Sequence, residues 1–232
     1  MIVIGLTGSI GMGKSTTAAL FRRLGVPVHD SDAAVHAMMR PGGEAVPAIS
    51  TAFPGVVIDG AVDRQALGAR VFGDMPALRR LEAIVHPRVA RRTREFLRAS
   101  RRAGRPLVVL DVPLLLEGNS HRMCDLVVVA SAPAFLQRQR VLARPGMTPA
   151  RLASILTKQM PDAEKRRRAD RVIPTGLGRA AAMRAVKRLV ADLRRNPERV
   201  KRTGCAKSCW IRRRRAWTPI PATGLSRSAV SS

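Results

Sequence analysis

A layered α/β fold, a largely parallel sheet covered by helices on both faces, is predicted from three features of the sequence. Short apolar runs alternate with stretches of helical period along most of the chain. The first run passes through a glycine-rich loop straight into a helical stretch, and the second run ends in acidic residues. Parallel strands buried on both faces read as continuous apolar runs, and Ile2 to Thr7 is such a run.

The remaining elements follow in order. Helical spacing holds from Lys14 to about Leu24 and is closed by Gly25, and Val26 to Asp30 reads as the second strand. From Ala33 to about Ser100 the pattern is mostly helical, with apolar positions at helical spacing in Gln65–Phe72 and Ala77–Ile84. A helical stretch of that length between two strands (about 33–100) is expected to be an inserted, substrate-binding subdomain. Leu107 to Val112 is a third buried strand, Pro113 to Glu117 a loop or short helix, and Leu126 to Ala130 a fourth strand. Helix returns from Ala134 to about Ala143, followed by an arginine-rich stretch from Arg144 to Arg171. Arg171 to Pro174 is the last strand and Arg179 to Arg195 the closing helix. From Asn196 the periodicity stops, and nine basic residues face one acid, so 196–232 is expected to be a disordered basic tail.

The bulk composition bounds the function. At 232 residues, 46% hydrophobic and 25% charged, the chain can bury one substantial core. It has no apolar run near the roughly 20 residues that span a membrane, and Met1 to Gly5 lacks the basic start of a signal peptide. A cytoplasmic location away from membranes is expected. Three cysteines, Cys124, Cys205 and Cys209, are too few and too uneven for a disulfide framework. A formal charge of +26 favours anionic partners such as nucleotides, acidic cofactors or nucleic acid, and a general bias toward arginine explains the surface equally well. Against that bias, only six of the 42 basic residues are lysines, and Lys14 is the only one before Lys158.

Lys14 belongs to Gly8-Ser9-Ile10-Gly11-Met12-Gly13-Lys14-Ser15, which fits G-x-x-x-x-G-K-[ST] between a strand and a helix. Glycines let the backbone take positive φ and approach phosphates closely, and the loop amides form an anion nest continued by the helix start. Gly11, Met12, Gly13, Lys14, Ser15 and Thr16 are therefore the candidate nucleotide contacts, with Lys14 reaching the β- and γ-phosphates and Ser15 placing its hydroxyl on Mg²⁺. The competing reading is a glycine turn that merely joins strand to helix. The motif identifies triphosphate binding without naming a reaction.

Asp30-Ser31-Asp32, with His36 four residues on, follows the second strand, where ligands of such sheets sit. A carboxylate there would accept a proton from a substrate hydroxyl or help hold magnesium. Alternatively, Ser31 or Asp32 caps a helix starting at Ala33.

Gly5 through Thr16, then Asp30-Ser31-Asp32 and His36, resemble the opening of the dephospho-coenzyme A kinases. Further similar segments follow in the same order: Asp63-Arg64, Leu81 to Ile84 with His86-Pro87, Asp111 to Glu117, Gln137, Arg140, Arg144, Gln159 and Ala169-Asp170. The resemblance covers roughly residues 1–195. It implies a P-loop kinase core with an inserted helical CoA-binding domain and a lid (about 140–170). It implies transfer of the γ-phosphate of ATP to the ribose 3′-hydroxyl of dephospho-CoA, with Mg²⁺ and with Asp32 as base. By the same resemblance Arg140 and Arg144 close over the triphosphate, and His36, Arg64, His86, Pro113, Leu115 and Leu116 contact the acceptor, with Glu117 adding polar contacts. On the residues alone, Arg140 and Arg144 also fit a solvated helix face and His86-Pro87 a structural turn. Where members of the family often carry Asn-Gly after the last strand, this chain has Pro174-Thr175-Gly176.

Two other functions compete. A nucleoside or nucleoside-monophosphate kinase shares the architecture but not the Asp30-to-His36 and Pro113-to-Glu117 set. A nucleotide-gated nucleic-acid-binding protein fits the charge, but there is no tyrosine, and both tryptophans, Trp210 and Trp217, lie in the tail, which leaves no aromatic platform. The expected assembly is a monomer or weak homo-oligomer with a small-molecule partner.

Overall fold

The computed structural model describes residues 1–200. Strands β1 (Ile2–Thr7), β2 (Val28–Asp30), β5 (Leu107–Asp111), β6 (Leu126–Ser131) and β7 (Arg171–Pro174) form one sheet in the order β2-β5-β1-β6-β7. Every pairing in it is parallel, with Ile4 opposite Val109 on one side and Leu126 on the other. β1, β5 and β6 are buried throughout, as their unbroken apolar runs require. Helix α1 (Lys14–Arg23) and helix α9 (Gly178–Arg195) pack on this sheet through Phe21, Leu20, Val186 and Leu189. The α/β fold class and its parallel sheet agree with the sequence-based expectation.

A second core gathers between β2 and β5 in sequence. It is built from α2 (Ser31–Met39), α3 (Val46–Ala52), α4 (Arg64–Val71) and α5 (Met75–Arg102) around Met38, Ile49, Phe53 and Leu67. Within it lies a two-stranded hairpin, β3 (Val57–Ile58) with β4 (Ala61–Val62), that the helical expectation for this stretch missed. Its turn is Asp59-Gly60, both at positive φ, the turn chemistry of a two-residue hairpin. The helical spacing seen in Ala77–Ile84 extends much further: α5 runs unbroken for 28 residues with Pro87 inside it. The His86-Pro87 turn is thus corrected to mid-helix.

The helix expected from Ala134 is α6 (Ala134–Leu142), and the arginine-rich stretch after it resolves into α7 (Pro149–Thr157) and α8 (Asp162–Arg168). Thr148 caps α7, its side chain accepting from the Arg151 amide at 3.2 Å. The tail boundary shifts as well. Pro197–Arg199 forms a 3-10 turn and Val200 packs into the sheet core, so order extends past Asn196. The expected disorder of the rest of the tail, 201–232, falls outside the described residues. Among the described residues no helix is long and apolar enough to cross a membrane.

Candidate active site

The carboxyl edge of the sheet collects the candidate residues. In strand order they are Asp32 after β2, Pro113 after β5, the Gly8–Thr16 loop after β1, and Thr175 to Ala182 after β7. Asp32, Pro113, the loop apart from Met12, and Thr175, Gly178, Arg179 and Ala182 line one cavity of about 610 Å³.

The loop is held open as a cradle by its glycines and by side chains behind it. Gly11 and Gly13 have φ of 75° and 84°, and Gly13 serves as N-cap of α1 without any side-chain cap. A Cβ on Gly13 would sit 2.9 Å from the Thr175 side chain, and one on Gly11 would sit 2.6 Å from Val141. The first turn of α1 contains no acid, so its amides and Lys14 present an undiluted positive end. Both polar groups of Ile10 are clamped: its amide donates to Gln159 at 3.0 Å, and its carbonyl accepts from Gln137 at 2.8 Å. The Thr175 hydroxyl donates to the Met12 carbonyl at 2.7 Å, while Met12 itself is buried and does not line the cavity.

Lys14 donates to Asp111 at 2.8 Å, and Asp111 is 1% exposed at the end of β5. Asp111 was not singled out as a site residue from the sequence, although an acid ending an apolar strand was the available signal. Burial pushes its carboxyl above the usual carboxylate range; Lys14 pulls it back, and Asp30 and Asp32 push it up further. Asp30 and Asp111 are register partners on adjacent strands.

The capping alternative for Ser31 and Asp32 is corrected by the geometry. The helix α2 starts at Ser31, and Asp30 is the cap, accepting from the Ala33 amide at 2.9 Å. Asp32 is left exposed in the first turn. It lines both the cradle cavity and a second cavity of about 450 Å³. The second cavity has a mostly apolar wall (Val35, Met39, Leu67, Val71, Leu81) with His36 and Arg64 at its polar side. Arg64 donates to His36 Nδ1 at 3.2 Å.

Arg140 lines the cradle cavity with its guanidinium tied to the Thr175 carbonyl at 2.8 Å; Arg144 lines it from an exposed position. Neither cavity is lined by His86, which is exposed on α5, nor by Leu115 and Leu116, which are buried. Glu117 turns inward, pairing with the fully buried Lys165 at 2.8 Å and accepting from the Met160 amide. The whole arrangement can seat a polyanion in the cradle beside a second, apolar-walled chamber, with one carboxylate between them.

Comparison with known proteins points the same way. The dephospho-CoA kinase family model matches residues 2–177. A dephospho-CoA kinase of Paramagnetospirillum magneticum is 67% identical over 166 residues, 72% of this chain and 78% of the relative. That of Mesorhizobium japonicum is 58% identical over 194 residues, 84% of this chain and 98% of the relative. A crystal structure of a Thermus thermophilus protein superposes with a TM-score of 0.72 at 39% identity, covering 83% of this chain and 97% of that one.

Proposed function

The chain belongs to the dephospho-CoA kinase family, and from that premise we propose that it transfers the γ-phosphate of ATP to the ribose 3′-hydroxyl of dephospho-CoA, giving CoA and ADP. The observation that carries this reading is the position of Asp32, on the shared wall of the cradle cavity and the apolar chamber. A group there meets the end of a triphosphate from one side and an acceptor hydroxyl from the other.

In this reading the Gly8–Thr16 loop and Lys14 hold the β- and γ-phosphates, and the reaction is driven mainly by positioning and charge neutralisation. Asp32 takes the proton from the acceptor hydroxyl. Arg140 and Arg144 offset negative charge on the transferring group. Mg²⁺ usually takes one or two protein oxygens and completes its shell with phosphates and water. The described residues fit that pattern: Ser15 offers a hydroxyl in the cavity, and no cluster of three or more acidic, His or Cys side chains forms a dedicated metal cage. The ion supplies charge neutralisation on the phosphates when bound.

The second chamber, with Val35, Met39, Leu67, Val71 and Leu81, offers apolar surface, with Arg64 and His36 facing anionic groups. Residues 33–100 then act as the acceptor-binding insertion and 140–170 as the lid. His86, Leu115 and Leu116 line neither cavity and carry no role in this reading.

The test is ATP consumption by the full chain with Mg²⁺ and dephospho-CoA, adenosine, AMP or no acceptor. CoA formed only from dephospho-CoA, phosphorylated at the 3′ position by ³¹P and ¹H NMR, is the expected result. Turnover of adenosine or AMP in preference to dephospho-CoA would overturn the assignment.

A further inference from the structure

The two edges of the sheet bracket the cradle cavity. Asp32 follows the edge strand β2, two strands from β1 on one side; Thr175 to Ala182 follow the opposite edge strand β7, two strands away on the other. At about 4.8 Å per strand, the Asp32 end lies roughly 10 Å from the β1 loop. At the other end Thr175 packs on the loop itself, its hydroxyl 2.7 Å from the Met12 carbonyl, and Gly178, Arg179 and Ala182 of α9 line the same cavity. A triphosphate on that loop with its γ-phosphate toward Asp32 leaves its base beside the first turn of α9. This step rests on the nucleotide placement proposed above.

The base end is lined by Thr175, Gly178, Arg179 and Ala182. Thr175 is spent on the protein. Its hydroxyl serves the Met12 carbonyl, its amide donates to Ser131 at 2.8 Å, and its carbonyl accepts from Arg140. Gly178 and Ala182 bring no polar side-chain atom. Arg179 is exposed in the first turn of α9, and among the described residues no hydrogen bond or ion pair engages its guanidinium. It is the side chain at this end that can read a base.

A guanidinium offers donors only, in a planar fork. Guanine presents two adjacent acceptors, O6 and N7, which such a fork matches in two parallel hydrogen bonds, whereas adenine sets its N6 donor beside N7. We propose that Arg179 is a specificity-determining residue of the nucleotide site, and that the site accepts GTP as phosphoryl donor alongside ATP. The chemistry is unchanged: the bond from the γ-phosphorus to the β–γ bridging oxygen breaks, GDP leaves, and the acceptor oxygen bonds to phosphorus as its proton departs.

The experiment measures kcat/KM for ATP and GTP with dephospho-CoA, in the full chain and in Arg179→Ala and Arg179→Gln. The expected result is GTP within about tenfold of ATP in the wild type. Arg179→Ala should lose roughly ten- to a hundredfold with GTP and a smaller factor with ATP, the discrimination of one bidentate pair. Arg179→Gln, whose amide pairs with adenine N6 and N7, should move the preference toward ATP. GTP more than tenfold poorer than ATP, or equal losses with both nucleotides in Arg179→Ala, overturns the inference while leaving the kinase reading intact. No CoA from either nucleotide, by contrast, overturns the kinase reading itself.

Discussion

The Lys14 ammonium lies 2.8 Å from the Asp111 carboxylate, one at the start of α1 and the other at the end of β5. An ammonium has three donors, so this bond aims the side chain across the cradle while leaving two donors for phosphate oxygens. Asp111 is thereby a positioning residue for the cradle's lysine.

Removing the lysine is expected to cost roughly a hundredfold or more in kcat, the scale of losing one preorganised donor, with the far-ultraviolet circular dichroism unchanged. The same variant has a pH signature. Asp111 already binds its proton more tightly in the fold than its ordinary 3.8, so its contribution favours the folded state at low pH and fades as pH rises through the raised value. Lys14 is the influence that lowers it, so Lys14→Ala widens that window. The melting-temperature gap between Lys14→Ala and wild type should therefore grow as pH rises above the ordinary carboxylate range. A gap independent of pH would mean that Asp111 does not sense the lysine.

Asp32→Asn should lower kcat roughly a hundredfold and leave the ATP KM within a few fold, since the amide keeps the shape but not the proton acceptor. Steady-state kinetics with each substrate varied separates the two. Equal losses in kcat and ATP affinity would reassign Asp32 to holding the nucleotide or its ion.

Thr175→Val preserves volume yet strips the Met12 carbonyl of its donor. A destabilisation of about 1–3 kcal/mol in urea unfolding is expected. A variant as stable as wild type would show that another group satisfies that carbonyl.

Glu117→Ala leaves the fully buried Lys165 ammonium without its partner at 2.8 Å. The expected cost is about 3–5 kcal/mol, whereas replacing both residues with apolar ones of similar volume should cost far less. Matching losses in the single and double variants would place the pair in solvent-like surroundings.

Much of the sheet and the cradle was legible because the signals are local. β1, β5 and β6 are continuous apolar runs, and Gly11, Gly13 and Lys14 declare the loop on their own. Elements whose limits depend on tertiary packing were not. α5 continues through Pro87 because its flanks are packed, Val85 in the second core and Thr93 against His29. The hairpin at Asp59-Gly60 carried a turn signal that was masked by the helical pattern around it. Leu115 and Glu117 illustrate the remaining gap. A sequence places them next to Pro113 but cannot say that the chain turns so that Leu115 fills the core and Glu117 meets Lys165 some 48 positions later.

The length of α5 has a thermodynamic consequence. Its first half packs on α2, α3 and α4, and its second half meets β2, with Phe96 stacked on His29 at 5.3 Å between ring centroids. One unbroken helix therefore belongs to the helical core and also packs on the edge of the sheet. Melting of the helical core frays the helix that also seals the sheet, so disorder spreads from one to the other in a single cooperative event. A calorimetric scan of the folded chain should show one endotherm, with calorimetric and van 't Hoff enthalpies in agreement, where two separately anchored cores would give two.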